Sequence, residues 1–169
     1  AYEAHIAKMF ALAGLPDGDA AAATILALET RLAEAHITKE AARDWPTNYH
    51  KVPVESLAGV MPNFNWDGYL AAGGLDDLEA LVLMMTSYFE AIDDLMVVTP
   101  LEDWKTYLRW VVLNTRADVL TPALDAQNFA FYGKTLRGTE AQRPLWRRAV
   151  GTVDRTLGEV VGKAYVKKH

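Results

Sequence analysis

The sequence predicts a mainly α protein: a multi-helix domain with several capped helices and at most one short strand pair. Three observations carry this. Apolar residues recur every three or four positions along most of the chain, the period of a single helix face. Threonine-proline twice precedes such a stripe, at Thr99-Pro100 and Thr121-Pro122, and proline is tolerated at a helix start because its missing N–H has no intrahelical partner there. Only one stretch, Leu81–Met85, is apolar without a helical period. The chain has 169 residues, 51% of them hydrophobic and 23% charged. That is enough to bury a core, and residues 1–169 are read as one domain.

Along the chain, Tyr2, Ile6, Met9 and Phe10 trace a first helix that Gly14 and Pro16 stop. Asp19 is expected to cap a second, whose stripe is Ile25, Leu28, Leu32 and Ala35. Trp45-Pro46 is expected to end that region, because the residue before a proline is pushed out of the α basin. Thr47 to Gly74 then reads as short pieces. Val52-Pro53-Val54 is extended, a turn or two of helix runs to Val60, and Pro62 makes a break. Asn65 caps a short helix, Trp66–Ala72, that Gly73-Gly74 closes. Leu81–Met85 fits either a buried strand or the opening of a Tyr88–Val97 helix, with a short strand favoured.

Thr99-Pro100-Leu101-Glu102 has the form of a capping box, hydroxyl and carboxylate each taking one orphan N–H. Leu101, Trp104, Leu108, Val111, Val112 and Thr115 would then line one face. Thr121-Pro122 starts a helix through Leu124, Asn128 and Phe131 that fades near Gly138. Thr139-Glu140-Ala141-Gln142 is a second capping box, with Pro144 in the first turns of a last helix. Its seam is Trp146, Val150, Val153, Leu157, Val160 and Ala164. On that pattern Trp146 is expected to be buried, with Arg143, Arg147 and Arg148 along the edges of the seam.

Little in the chain has the pattern of chemistry. With no cysteine, disulfide scaffolds, zinc fingers and cysteine nucleophiles are excluded. His5, His36, His50 and His169 offer no pair four apart and no glutamate three residues before any histidine, so helical zinc and di-iron motifs are absent. Ordinary surface or capping roles are expected for these histidines. Asp76-Asp77, Asp93-Asp94 and Glu102-Asp103 are adjacent pairs, which point to different sides of a helix and read as solvated or N-terminal charge. Gly73-Gly74 has no following Lys-Ser/Thr and is no phosphate loop. No apolar run reaches the roughly 20 residues of a bilayer span.

Charge is uneven. Residues 134–169 hold nine Lys/Arg against three Asp/Glu, and residues 1–133 hold eight against nineteen. A solvated helix face with a cationic end explains this asymmetry. The competing reading is a free-standing interaction or nucleic-acid-binding module that uses the basic C-terminal helix. An acidic body and a seam-bound Trp146 argue against nucleic acid. The chain begins at Ala1 without a start methionine, and a helical pattern is still running at His169; the expectation is a piece of a longer polypeptide.

Tyr132–His169 resembles the end of the N-terminal region of the neprilysin and endothelin-converting-enzyme family of zinc metallopeptidases. The residues carrying the likeness are Leu136, Gly138, Thr139, Trp146, Arg147, Arg148, Val153, Gly162, Tyr165 and Val166. Upstream, LEDWKTYLRW and ILALETRLAEAH, followed by Arg43, Tyr49 and Lys51, are similar to further segments of that family in the same order. Family members usually carry a proline where Thr86-Ser87 stands, and animal members carry cysteines absent here, which implies a bacterial relative.

The resemblance implies a non-catalytic helical domain that walls a peptide chamber and restricts substrates to oligopeptides. It implies no catalytic residue, metal ligand or cofactor in this chain: zinc belongs to a catalytic domain further along the same polypeptide, which is the implied partner. Arg147 and Arg148 are the candidate interdomain or chamber-lining residues. A periplasmic or secreted location follows from the resemblance alone, with a cytoplasmic one as the alternative.

Overall fold

A computed structural model describes residues 1–169. The chain divides into two compact units, residues 1–116 and 117–169. The architecture is mainly α, with one two-stranded antiparallel sheet. No helix is long and apolar enough to cross a membrane.

The first unit is built on α1 (Tyr2–Leu12), α2 (Gly18–Glu34) and α7 (Leu101–Arg116). Gly14 ends α1 in the left-handed region at φ 70°. Leu15 N–H then donates to Phe10 O at 3.0 Å and Gly14 N–H to Ala11 O at 3.1 Å, satisfying carbonyls the helix end would leave orphaned. Asp17, itself left-handed at φ 53°, is the residue before α2. Asp19 therefore lies inside the first turn and does not cap it. A Cβ on Gly18 would sit 2.7 Å from Ala7 O, so only glycine lets the start of α2 lie against α1.

Ile6, Met9 and Ile25 are fully enclosed, and Phe10, Leu28 and Leu32 nearly so; these are the stripes the period predicts. Trp110 of α7 completes this core at 1% exposure. Its Nε1–H donates to Tyr2 Oη at 3.2 Å, and Tyr2 Oη–H donates to Glu29 Oε1 at 3.0 Å. One polar chain thus ties α7, α1 and α2 together. His5 packs edge-on to the Trp110 ring, centroids 5.5 Å apart, and is 2% exposed. It is a core histidine, not the surface or capping residue expected.

Between α2 and residue 86 the short pieces appear largely as predicted. Trp45-Pro46, however, opens a helical turn instead of ending one. In α3 (Trp45–Asn48) Asp44 is the cap, accepting from Thr47 N–H at 3.4 Å and Thr47 Oγ1 at 2.7 Å. Pro46 falls in the first turn, where its missing donor costs little. Strand β1 (His50–Pro53) pairs with β2 (Ala80–Leu83), His50 opposite Leu83 and Pro53 opposite Ala80. Of the apolar run Leu81–Met85, the first three residues are therefore strand, and Met84-Met85 lead into the next helix. After α4 (Leu57–Val60), Asn65 caps α5 (Trp66–Ala72) through Gly68 N–H at 3.0 Å, as its sequence indicates.

Helix α6 (Thr86–Val98) starts at the threonine that stands in place of a proline. Asp93 on this helix is 5% exposed, and its carboxylate accepts from Asn63 N–H at 2.9 Å and Asn63 Nδ2 at 2.7 Å. It pins the loop before α5 and is not the solvated charge its neighbour Asp94 suggested.

Two further expectations fail at α7. Thr99 closes α6, donating its N–H to Leu95 O at 2.9 Å from an extended backbone. The first carbonyl used by α7 is that of Pro100, so Thr99 sits one residue too early to cap and its hydroxyl makes no hydrogen bond. Glu102 turns to Lys105 Nζ at 2.7 Å, and that bond and charge hold its carboxyl below the ordinary range. The predicted face is also displaced. Leu101, Leu108 and Val112 are exposed, while Trp110 is buried and Trp104, Tyr107 and Val111 are half-buried. Trp110 has partners on α1, and that contact sets the rotation of the helix.

In the second unit, α8 (Pro122–Asn128) is capped by Thr121, whose Oγ1 accepts from Leu124 N–H at 3.4 Å. A π-helical segment, Phe129–Thr135, continues it, and Gly138 ends the run at φ 66°. A Cβ on Gly133 would lie 2.4 Å from the Phe129 ring, so this glycine admits the ring against the π turn. The second capping box is absent. Pro144 is the cap of α9 (Leu145–Thr156), and Thr139 N–H donates to Gly133 O at 2.9 Å. Gln142 is drawn away to Asp125 at 2.8 Å. The last helix also breaks at Leu157 (φ −126°, ψ 28°), and α10 (Gly158–Lys168) follows.

Candidate functional site

The second unit carries both residues singled out in the sequence, and the structure gives them different surroundings. Arg148 Nη1 donates to Asp125 Oδ1 at 3.0 Å and Nη2 to Oδ2 at 2.8 Å. Gln142 Nε2 donates to the same Oδ1 at 2.8 Å. The side chains of Arg148 and Asp125 are 25% and 17% exposed. A two-pronged pairing of this kind is among the stronger charge-assisted contacts, because the planar guanidinium matches the carboxylate. It fastens α9 to α8 across the loop of residues 138–144.

Arg147, one residue earlier, makes no such pair. Its guanidinium lies 5.1 Å from the Trp146 ring centroid, a cation–π contact between two exposed side chains. Trp146 is 63% exposed, which overturns its expected burial. The rest of the seam goes with it. Val150, Val153, Leu157 and Val160 are each between 46% and 64% exposed, and Ala164 is exposed too. The periodicity is real, yet no side chain of the chain encloses the stripe. An exposed apolar face of this kind, with Arg147 beside Trp146, marks an interaction surface more often than an ordinary exterior.

Beside the Arg148–Asp125 pair opens a cleft of about 420 Å³. Its walls come from the π-helical segment (Phe129, Tyr132, Gly133), Arg137 just after it, the loop (Thr139, Arg143) and Asp118. Asp125 was not singled out in the sequence, and Gln142 was read there only as a helix cap. They stand 23 and six positions from Arg148, and only the density of arginine around Trp146 hinted at a carboxylate nearby.

The four histidines stay apart. His5 lies against Trp110, His36 against Tyr88 at 4.3 Å, His50 Nδ1 at 3.2 Å from Asn48 O, and His169 against Tyr165 at 4.7 Å. No three His, Asp or Glu side chains converge on one point.

Residues 1–169 match the profile of peptidase family M13. Endothelin-converting enzyme-like 1 of Rattus norvegicus is 26% identical over 174 residues, spanning 100% of this chain and 22% of that protein. Membrane metallo-endopeptidase-like 1 of Mus musculus is 26% identical over 154 residues, 86% of this chain and 20% of that protein. Among solved structures, the Mycobacterium tuberculosis zinc metalloprotease ZMP1 in its open state superposes with a TM-score of 0.95 at 36% identity. The match covers 99% of this chain and 27% of that one. The inhibitor complex of the same enzyme gives 0.93 at 36% identity, covering 99% and 26%. The chain thus spans about a quarter or less of the length of these relatives. With every residue matched and the helical architecture shared, this chain belongs to peptidase family M13 and has the fold of its N-terminal helical domain.

Proposed function

We propose that residues 1–169 are part of a non-catalytic helical wall that encloses the peptide chamber of a zinc metalloendopeptidase and restricts its substrates to oligopeptides. The observation that carries this reading is the match along all 169 residues to peptidase family M13, in a chain whose histidines and carboxylates form no ligand cluster. Zinc and the hydrolytic groups would then lie on a catalytic domain of the same polypeptide, and an exported location goes with the relatives. The unpaired apolar stripe of α9 and α10 supports the reading physically. Domains of one chain meet through surfaces that are part apolar and part charged, and this stripe has that make-up.

Arg147 and Arg148 take separate parts. Arg148, fastened to Asp125, holds α9 in place beside the cleft, while Arg147 and Trp146 present a flat cationic and aromatic surface to a neighbouring domain or to the chamber. Mixing the isolated chain with zinc and an enkephalin-sized peptide tests the division of labour. No cleavage is expected, and zinc-dependent cleavage by this chain alone would overturn it.

The exposure of Trp146 beside Arg147 also favours a second reading, in which the basic terminal helices bind nucleic acid by phosphate contact and stacking. Counterion release makes such binding fall steeply with salt. A gel shift at low salt that vanishes at moderate salt would support it; no shift at low salt would eliminate it.

A further inference from the structure

We propose that the cleft beside the Arg148–Asp125 pair binds the carboxylate of an oligopeptide, with Arg137 and Arg143 as its ligands. The proposal rests on the peptide-chamber reading only for the source of that carboxylate.

Three observations lead there. Of the two acids that line the cleft, Asp118 and Asp125, the second is already spent: both oxygens of Asp125 are taken by the Arg148 guanidinium, and one also by Gln142. An incoming anion therefore meets one neutralised carboxylate and one exposed carboxylate, Asp118, set against Arg137 and Arg143. Arg137 and Arg143 line the same cleft, are exposed, and make no ion pair. Two uncommitted guanidinium groups at one opening offer forked donors of the geometry that suits a planar carboxylate. Another wall is a π-helical turn on which the Phe129 ring packs against Gly133. Such turns are rare and occur frequently at functional sites, and the ring gives an apolar neighbour for the residue bearing the carboxylate. At about 420 Å³ the cleft falls within the usual size of small-ligand pockets.

Calorimetric titration of the full chain at low salt tests this with N-acetylated tetrapeptides of uncharged side chains. The free acid is expected to bind at least about tenfold more tightly than the C-terminal amide, the scale of one or two charge-assisted hydrogen bonds. A third peptide, amidated but carrying one glutamate, separates sources. Binding by it as tight as by the free acid supports the site and assigns it to acidic side chains, and binding by the free acid alone assigns it to the chain terminus. The double variant R137Q/R143Q should bring the free acid to the level of the amide while circular dichroism stays unchanged, since both side chains are exposed. R155Q, on α9 but outside the cleft, should leave binding as it was. Equal affinity for acid and amide, or an equal loss on R155Q, would overturn the proposal. Neither failure touches the chamber reading, which is judged by cleavage.

Discussion

The first unit and the terminal helices of the second obey the same sequence rule and meet opposite fates. In α1 and α2 the apolar residues at helix spacing are enclosed: Ile6, Met9, Ile25 and Leu28 are all at or below 4% exposure. In α9 and α10 an equally regular series from Trp146 to Val160 stays about half or more exposed. Periodicity states that a helix has an apolar face. It does not state what covers that face, and in the second case the structure holds no cover. The difference separates a core from a face that we propose to be an interface, and it can be broken or sharpened at individual residues.

The largest effect is expected where the two tryptophans are exchanged for alanine. Trp110→Ala removes an enclosed ring and the donor to Tyr2, and should cost about 3–5 kcal/mol of unfolding free energy. Trp146→Ala should change it by less than about 0.5 kcal/mol, as exposed substitutions do. Urea denaturation of the two variants measures this directly; similar losses would mean that Trp146 is a core residue after all.

Next comes acid. Burial against Trp110 holds the His5 imidazole at about 4, below its ordinary 6.5. The unfolded chain therefore takes up a proton between those values while the folded chain does not. Stability is fully present above pH 6.5 and is lost as pH falls toward 4, by about 3 kcal/mol in all. His5→Gln should flatten that part of the profile, read as the denaturation midpoint against pH. Nothing in the terminal helices has a comparable buried group.

The smallest of the three sits at the joint between α8 and α9. Arg148→Gln removes both prongs from Asp125 and leaves that carboxylate poorly paired, which should cost about 1.5–3 kcal/mol. Arg147→Gln should cost less than about 1 kcal/mol, the size of an exposed cation–π contact. Thermal melts that rank the two variants the other way would contradict the roles given to the two arginines.

How far the sequence reached follows the same line. Caps whose partner lies three residues away were legible, as Asn65 with Gly68 and Thr121 with Leu124 show. So was the strand at Ala80–Leu83, from a run with no helical period. The capping boxes at Thr99 and Thr139 failed because distant or neighbouring structure claimed the residues: Thr99 is used to end α6, and Gln142 is bound by Asp125. The face of α7 was misjudged for a related reason. Leu101, Leu108 and Val112 are as apolar as the buried set, but Tyr2 and His5 meet Trp110, a contact more than a hundred positions long in sequence. The arginines of the cleft were noticed, whereas their carboxylate was invisible until α8 and α9 were placed side by side.

Hydrogen–deuterium exchange on α9 and α10 bears most directly on the view that these helices await further polypeptide. In the isolated chain their amides should exchange quickly, with α1, α2 and α7 well protected. In a polypeptide extended to include a catalytic domain, residues 145–168 should gain protection of at least about tenfold, while the first unit is unchanged. Equal exchange of α9 and α10 in the two settings would contradict the account, because the apolar stripe would then have no partner to meet.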